Sequence, residues 1–220
     1  GSYCVSRYQA GHPGEDPVTF VTATDGNHGR GIAWAAQRMG CRAVVYMPAG
    51  SAEERLENIR ALGAEASRTS LNYDDTVRYA SSQAAQNGWV LVQDTSWPGY
   101  EEIPALIMQG YLTMADEAAD QLEGRVPTHI FLQAGVGAMA GALTAYFRSR
   151  YGFGPRIVIV EPDKADCGYR TALANDGRLH RVEGALDTIM AGLACGEPCT
   201  IGWELLHYGA DAFLSTEDAV

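Results

Sequence analysis

The stretch Thr22-Ala-Thr-Asp-Gly-Asn-His-Gly-Arg-Gly31 places an acid, an amide, an imidazole and a guanidinium among closely spaced glycines. The residues before it, Val18-Thr-Phe-Val21, read as a short buried strand. Those after it carry Ile32, Ala35, Ala36 and Met39 at helical spacing. The segment is therefore a strand-to-helix turn whose amides can face an anion or a ring oxygen at the helix N-terminus. Glycine alone is equally consistent with a plain turn. Asp25, Asn27, His28 and Arg30 together favour a functional site.

Working outward, strands and helices alternate. "RAVVYM" reads as a strand, followed by a helix with Ser51 as N-cap and Glu53 and Glu54 in its first turn. "AEASRT" reads as a weak strand, residues 73–87 as a helix closed by Gly88, and "WVLVQ" as a strand. A helix is expected from Pro104 to Leu122, then the strand "HIFLQA", a glycine turn with a helix, and the strand "RIVIVE". The remainder reads as irregular, with short helices near 187–191 and 201–207. Such alternation predicts parallel sheets covered by helices on both faces. Gly11, Pro13, Gly14 and Pro17 make residues 1–16 read as loop or disordered.

A second glycine turn, Gly135-Val-Gly-Ala-Met-Ala-Gly141, also follows a strand and opens a helix. Its amides suit a phosphate. It equally resembles a dinucleotide fingerprint, with Glu161 placed as a ribose-binding acid, so NAD and a phosphate-only ligand stand level on this stretch alone. Asp94, at the carboxyl end of "WVLVQ", stands where ligands gather in parallel sheets; a turn or capping role is its plain alternative.

The formal net charge of −11 argues against nucleic acid and anionic membranes as partners. No run of ~18 apolar residues is present, so no membrane span is expected. Residues 1–17 lack the apolar stretch of a signal peptide, which makes the cytoplasm the expected compartment. Five cysteines at irregular spacing do not read as a disulfide framework, and Cys195 and Cys199 are too isolated for zinc. No metal is expected.

Read together, "TDGNHG", the later phosphate turn and "VEPD" resemble the fold type II family of pyridoxal phosphate enzymes. Six blocks sharpen the likeness towards the diaminopropionate ammonia-lyase family: "TATDGNHGRGIAWAAQ", "NYDDTVR", "VQDTSWPGYEEIP", "LQAGVGAMAG", "VEPDKADC" and "TIMAGLACGEP". The resemblance implies a tryptophan-synthase-beta-like α/β fold with parallel sheets flanked by helices. It implies a complete small domain at 17–97 and part of a large, cofactor-binding domain at 98–220. It implies elimination of 2,3-diaminopropionate to pyruvate and ammonia with pyridoxal 5′-phosphate, and a homodimer. On the same ground Asp25 and Asp94 are the catalytic acid/base pair. Asn27 contacts the cofactor ring; Gly135, Val136, Gly137, Ala138, Met139 and Gly192 bind the cofactor. For Cys167 and Cys195 two readings stay open, a disulfide suggested by the resemblance and two reduced thiols. His28 and Arg30 are expected to support the Asn27 loop.

The wider family carries serine where this chain has Asp25. A serine hydroxyl needs an activating neighbour to act as a base, whereas a carboxylate can take a proton itself. The family's cofactor-holding lysine lies N-terminal to the Asn27 loop, a region with no lysine here; Lys164 is the only one in the 220 residues. The residues are thus expected to correspond to the middle of an enzyme and to lack lyase activity by themselves. A non-catalytic module that binds pyridoxal phosphate or phosphate without a covalent bond is the second class of function.

Overall fold

Thr19–Ala23 is buried along all five residues, because it is a central strand covered on both faces. It is β1 of a computed structural model that describes residues 1–12 and 18–219. The chain divides into two compact units, Gly1–Asp94 and Thr95–Val220.

The first unit contains α1 (Ser2–Gly11), β1, α2 (Asn27–Arg38), β2 (Arg42–Met47), α3 (Glu53–Arg60), β3 (Glu65–Arg68), α4 (Tyr73–Asn87) and β4 (Val90–Leu91). The sheet runs β3-β2-β1-β4 and every pairing is parallel, with Thr19 opposite Arg42 and Phe20 opposite Val90. Helix α4 is bounded as its sequence dictates. Asn72 accepts the N–H of Asp75 at 2.9 Å, and Gly88 closes the helix in the left-handed conformation.

Two expectations for this unit are corrected. Residues 2–11 are not loop but helix α1, held because Cys4 and Val5 are fully buried, Ser2 Oγ donates to Gly31 O at 2.9 Å, and Tyr8 meets Phe20 edge-on. The expected breakers Pro13, Gly14 and Pro17 lie outside the described residues. Ser51 does not cap α3, whose N-cap is Ala52 with no side-chain bond. Its hydroxyl turns instead to Asp25.

The second unit contains α5 (Glu102–Gln121), β5 (His129–Gln133), α6 (Ala138–Tyr151), β6 (Arg156–Pro162), α7 (Cys167–Ala174), a 3₁₀ turn (Ala191–Leu193), α8 (Thr200–Gly209) and β7 (Ala212–Thr216). Its parallel sheet is ordered β5-β6-β7. Strand β7 and helix α7 fall where the sequence reads as irregular. Ala115, Leu132, Leu143, Phe147, Ile157, Ile159 and Leu206 form its core. Helices α6 and α8 touch backbone to backbone: a Cβ on Gly141 would stand 2.8 Å from Gly202 O, so this crossing requires glycine.

Candidate functional site

In the first unit, β1 ends at a turn shaped by Thr24. Its hydroxyl accepts the N–H of Gly26 at 2.9 Å and of Gly29 at 3.3 Å, so the chain reverses tightly into α2. Gly26 has φ +153°, and a Cβ there would meet Arg55 Cδ at 2.9 Å. A Cβ on Gly29 would stand 2.4 Å from Thr24 Cγ2, so α2 can approach the sheet only through glycine. These contacts put three side chains beside the carboxyl end of β1. Asp25, half-buried, accepts from Ser51 Oγ at 3.1 Å and from the Arg55 guanidinium. Asn27 opens α2 with its side chain exposed. Arg30 is exposed on the same helix.

His28 is the buried member. Its Nε2 donates to Val92 O at 2.7 Å, since a carbonyl can only accept. Its Nδ1 lies 4.0 Å from Asp94 Oδ2 and has no hydrogen-bond partner among the described residues. Burial pushes the imidazole below its usual pKa; the Asp94 charge offsets part of that shift. Asp94 Oδ1 accepts from Tyr73 OH at 2.9 Å and from Gln93 Nε2 at 3.0 Å. Gln93 is fully buried, and its Oε1 also takes the Thr22 hydroxyl and the Ala23 N–H. The fold thus brings Asp25, His28 and Asp94 to one unit, with the two carboxylates held by separate sets of donors and His28 anchored by its own bond to Val92 O. Tyr73 and Gln93 were not expected in the site. Their signal was a glutamine ending an apolar strand and a tyrosine opening a helix.

In the second unit, Gly137 takes φ +90° as the N-cap of α6. The first intrahelical bond is closed by Gly141 N–H on Gly137 O, at 2.8 Å. The N–H groups of Ala138, Met139 and Ala140 precede it and have no acceptor within the helix. No acid stands in the first turn of α6. Such a turn fits a phosphate, helped by the helix dipole. The turn is fixed from behind, because Cys199 N–H donates to Val136 O at 2.7 Å and Ser96 Oγ bonds Thr200 Oγ1 at 2.7 Å. Gly192 lies in the 3₁₀ turn, its carbonyl 3.4 Å from where a Cβ on Gly135 would be. Of the expected cofactor residues in this unit, Gly135, Val136 and Gly137 line one cavity and Gly192 packs against Gly135, whereas the side chains of Ala138 and Met139 pack into the core.

The dinucleotide reading fails at Glu161. That carboxylate is 1% exposed and accepts the N–H groups of Gly168 and Tyr169, so it is not presented to a ribose. Of the two readings open for Cys167 and Cys195, the structure has the thiols: both are buried beside Gly135 and no disulfide joins them. Lys164 is exposed and ion-paired to Asp163 at 2.7 Å, and does not line the cavity at Gly135. Among the described residues no group of three or more His, Cys, Asp or Glu side chains is placed to hold a metal ion, and no helix is long and apolar enough to cross a membrane.

Comparison with known proteins matches these features as a set. The diaminopropionate ammonia-lyase of Escherichia coli strain K12 is 55% identical over 210 residues, covering 93% of this chain and 52% of its own. That of Salmonella typhimurium is 54% identical over 205 residues, covering 91% and 51%. The crystal structure of the Escherichia coli enzyme with D-serine superposes with a TM-score of 0.90 at 47% identity, over 99% of this chain and 58% of that one. The chain spans about half the length of the curated relatives it matches. The profile of the pyridoxal-phosphate dependent enzymes matches residues 1–220. With its parallel sheets and its phosphate-fitting turn at the start of α6, the chain belongs to the pyridoxal-phosphate dependent enzyme family.

Proposed function

We propose that these 220 residues carry the acid/base pair and the phosphate seat of an ammonia-lyase that converts 2,3-diaminopropionate and one water into pyruvate and two ammonia. The observation that supports it most is the pair Asp25 and Asp94 in one unit, each anchored by different neighbours. Pyridoxal 5′-phosphate, when bound, supplies the electron sink that acidifies the substrate Cα–H. The amides of Gly135 to Met139 would hold its phosphate, with Gly192 backing that turn, and the family resemblance assigns Asn27 to its ring.

Asp25 takes the Cα proton. Ser51 and Arg55 fix its orientation, and both come from the segment that opens α3. Asp94 binds the departing β-amino group and delivers its proton. Tyr73 and Gln93 set the rotamer of Asp94 from one side, and His28 stands behind it. An amino group leaves as ammonia only if a proton reaches its nitrogen, and that is the work assigned to this second carboxyl. The reading also places the protein in the cytoplasm, in keeping with an odd, irregular cysteine pattern.

Equilibrium dialysis of the 220-residue chain tests the cofactor part. Pyridoxal 5′-phosphate should be retained, inorganic phosphate should displace it, and pyridoxal should pass freely. Equal retention of pyridoxal would contradict a phosphate seat. A second reading, phosphate-ligand binding without catalysis, draws on Lys164 being the only lysine and already paired with Asp163. We further infer that two copies associate. Phe131 and Leu214, 63% and 46% exposed, share one face of the β5-β6-β7 sheet. Sedimentation at high concentration should show dimers; a monodisperse monomer would remove this inference.

A further inference from the structure

Glu161 is a buried acid that the proposed chemistry does not use. Its Oε1 accepts Gly168 N–H at 2.9 Å and its Oε2 accepts Tyr169 N–H at 2.6 Å, both in the first turn of α7. Gly168 makes this possible, since a Cβ there would stand 3.0 and 3.1 Å from the two carboxylate oxygens. The Cys167 thiol lies 3.9 Å from Glu161 Oε1 and 3.8 Å from Gly135 O, and so joins the acid to the phosphate turn. Gly135, Val136, Gly137, Glu161 and Cys167 line one cavity, and none of its lining residues is basic. That cavity has room for little more than one water, so an anion held by the amides of this turn has the Glu161 carboxyl behind the turn and not in contact with it.

We propose that Glu161 links the phosphate seat to a proton: an anion bound at Gly135–Gly137 draws a proton from solvent onto the Glu161 carboxylate, and loss of that proton weakens the anion's hold. This rests on reading the turn as a phosphate seat. The reason is charge. A phosphate dianion held by the turn has a buried carboxylate behind that turn, linked to Gly135 O through the Cys167 thiol. No basic residue lines the small cavity beside it, and neutralising the acid lowers the repulsion at little cost in that environment. Burial pushes Glu161 up to about 7; the two amide bonds pull against it and the nearby Asp166 adds to it. Asp166 is itself held by Arg170 at 2.7 Å and by the Ser215 hydroxyl of β7 at 2.9 Å. Among the described residues the Cys167 and Cys195 thiols and Tyr169, whose N–H bonds Glu161, also stand beside the acid and the turn. Trp203 and Leu206 of α8 and Phe213 of β7 complete the lining and do not titrate.

The sign follows from linkage. A bound dianion raises the folded-state value of Glu161 further, so binding takes up a proton where the free acid is partly ionised, and affinity falls as pH rises through about 7. Calorimetry with 4′-deoxypyridoxine 5′-phosphate, which has no aldehyde to react with an amine, in two buffers of different ionisation heat reads this directly. The unmodified chain should take up more protons at pH 7 than Glu161→Gln, and its affinity should fall by up to about tenfold per pH unit beyond the slope of the variant. The variant keeps only the ligand's own phosphate ionisation. Infrared difference spectra of the unmodified chain should gain a protonated-carboxyl band on ligand addition, a result independent of how the variant folds. Binding with equal proton uptake in both proteins, or without that band, overturns the linkage and leaves the phosphate seat standing. No binding at any pH overturns both.

Discussion

Replacing Asp25 by asparagine should cost turnover of one stereoisomer of 2,3-diaminopropionate about 10²–10⁴-fold and leave the other far less affected. The experiment requires an enzyme of the relatives' full length. This chain exchanged for the matching 210 residues of the Escherichia coli lyase provides one. The resemblance to fold type II enzymes implies a cofactor-holding lysine on one side of the substrate and the Asn27 loop on the other. Asp25 stands in that loop, with Ser51 and Arg55 fixing its carboxylate and Gly26 giving Arg55 room to reach it. Asparagine preserves the shape and the Ser51 contact but cannot accept the proton. Asp25→Ser restores the wider family's residue and recovers activity only if a neighbour activates the hydroxyl. Equal losses for both isomers would mean that Asp25 orients the substrate and is not a base for one face.

Asp94→Asn should lower turnover of both isomers by a similar factor of about 10²–10⁴, because the β-amino group must be protonated whichever hydrogen leaves Cα. Tyr73→Phe removes one of the two donors that hold Asp94 Oδ1. It should give a smaller loss, equal for the two isomers, because Gln93 remains. Steady-state kinetics on the separated isomers checks both. If Asp94→Asn raises KM and leaves kcat unchanged, Asp94 only binds the amine and does not deliver its proton.

The contrast between these two acids also shows what the sequence made legible. Asp25 was readable because glycines, an apolar strand and an apolar helix face mark the turn locally. Asp94 was readable only as an acid at a strand end, and its strand shrank to Val90–Leu91. Gln93 and Tyr73 were missed because their roles depend on contacts across 20 to 71 residues, which follow from sheet order and not from local pattern. Helix α1 was missed because only Cys4 and Val5 of its ten residues are buried, too few to show a helical period. Ser51 has an N-cap's composition and position, yet its hydroxyl is taken by Asp25, a partner 26 residues away. Spacing alone left Glu161 open as a ribose acid. The fold gives its oxygens to the amides of α7, a helix the sequence did not announce.

If this segment supplies the acid/base residues and phosphate seat of a lyase acting on diaminopropionate, the exchanged enzyme should release pyruvate steadily, with two ammonia per pyruvate, from the 2S and the 2R substrate alike. Continuous assay of pyruvate with each isomer reads this. A purified exchanged enzyme that folds, retains pyridoxal phosphate and releases no pyruvate from either isomer would contradict it.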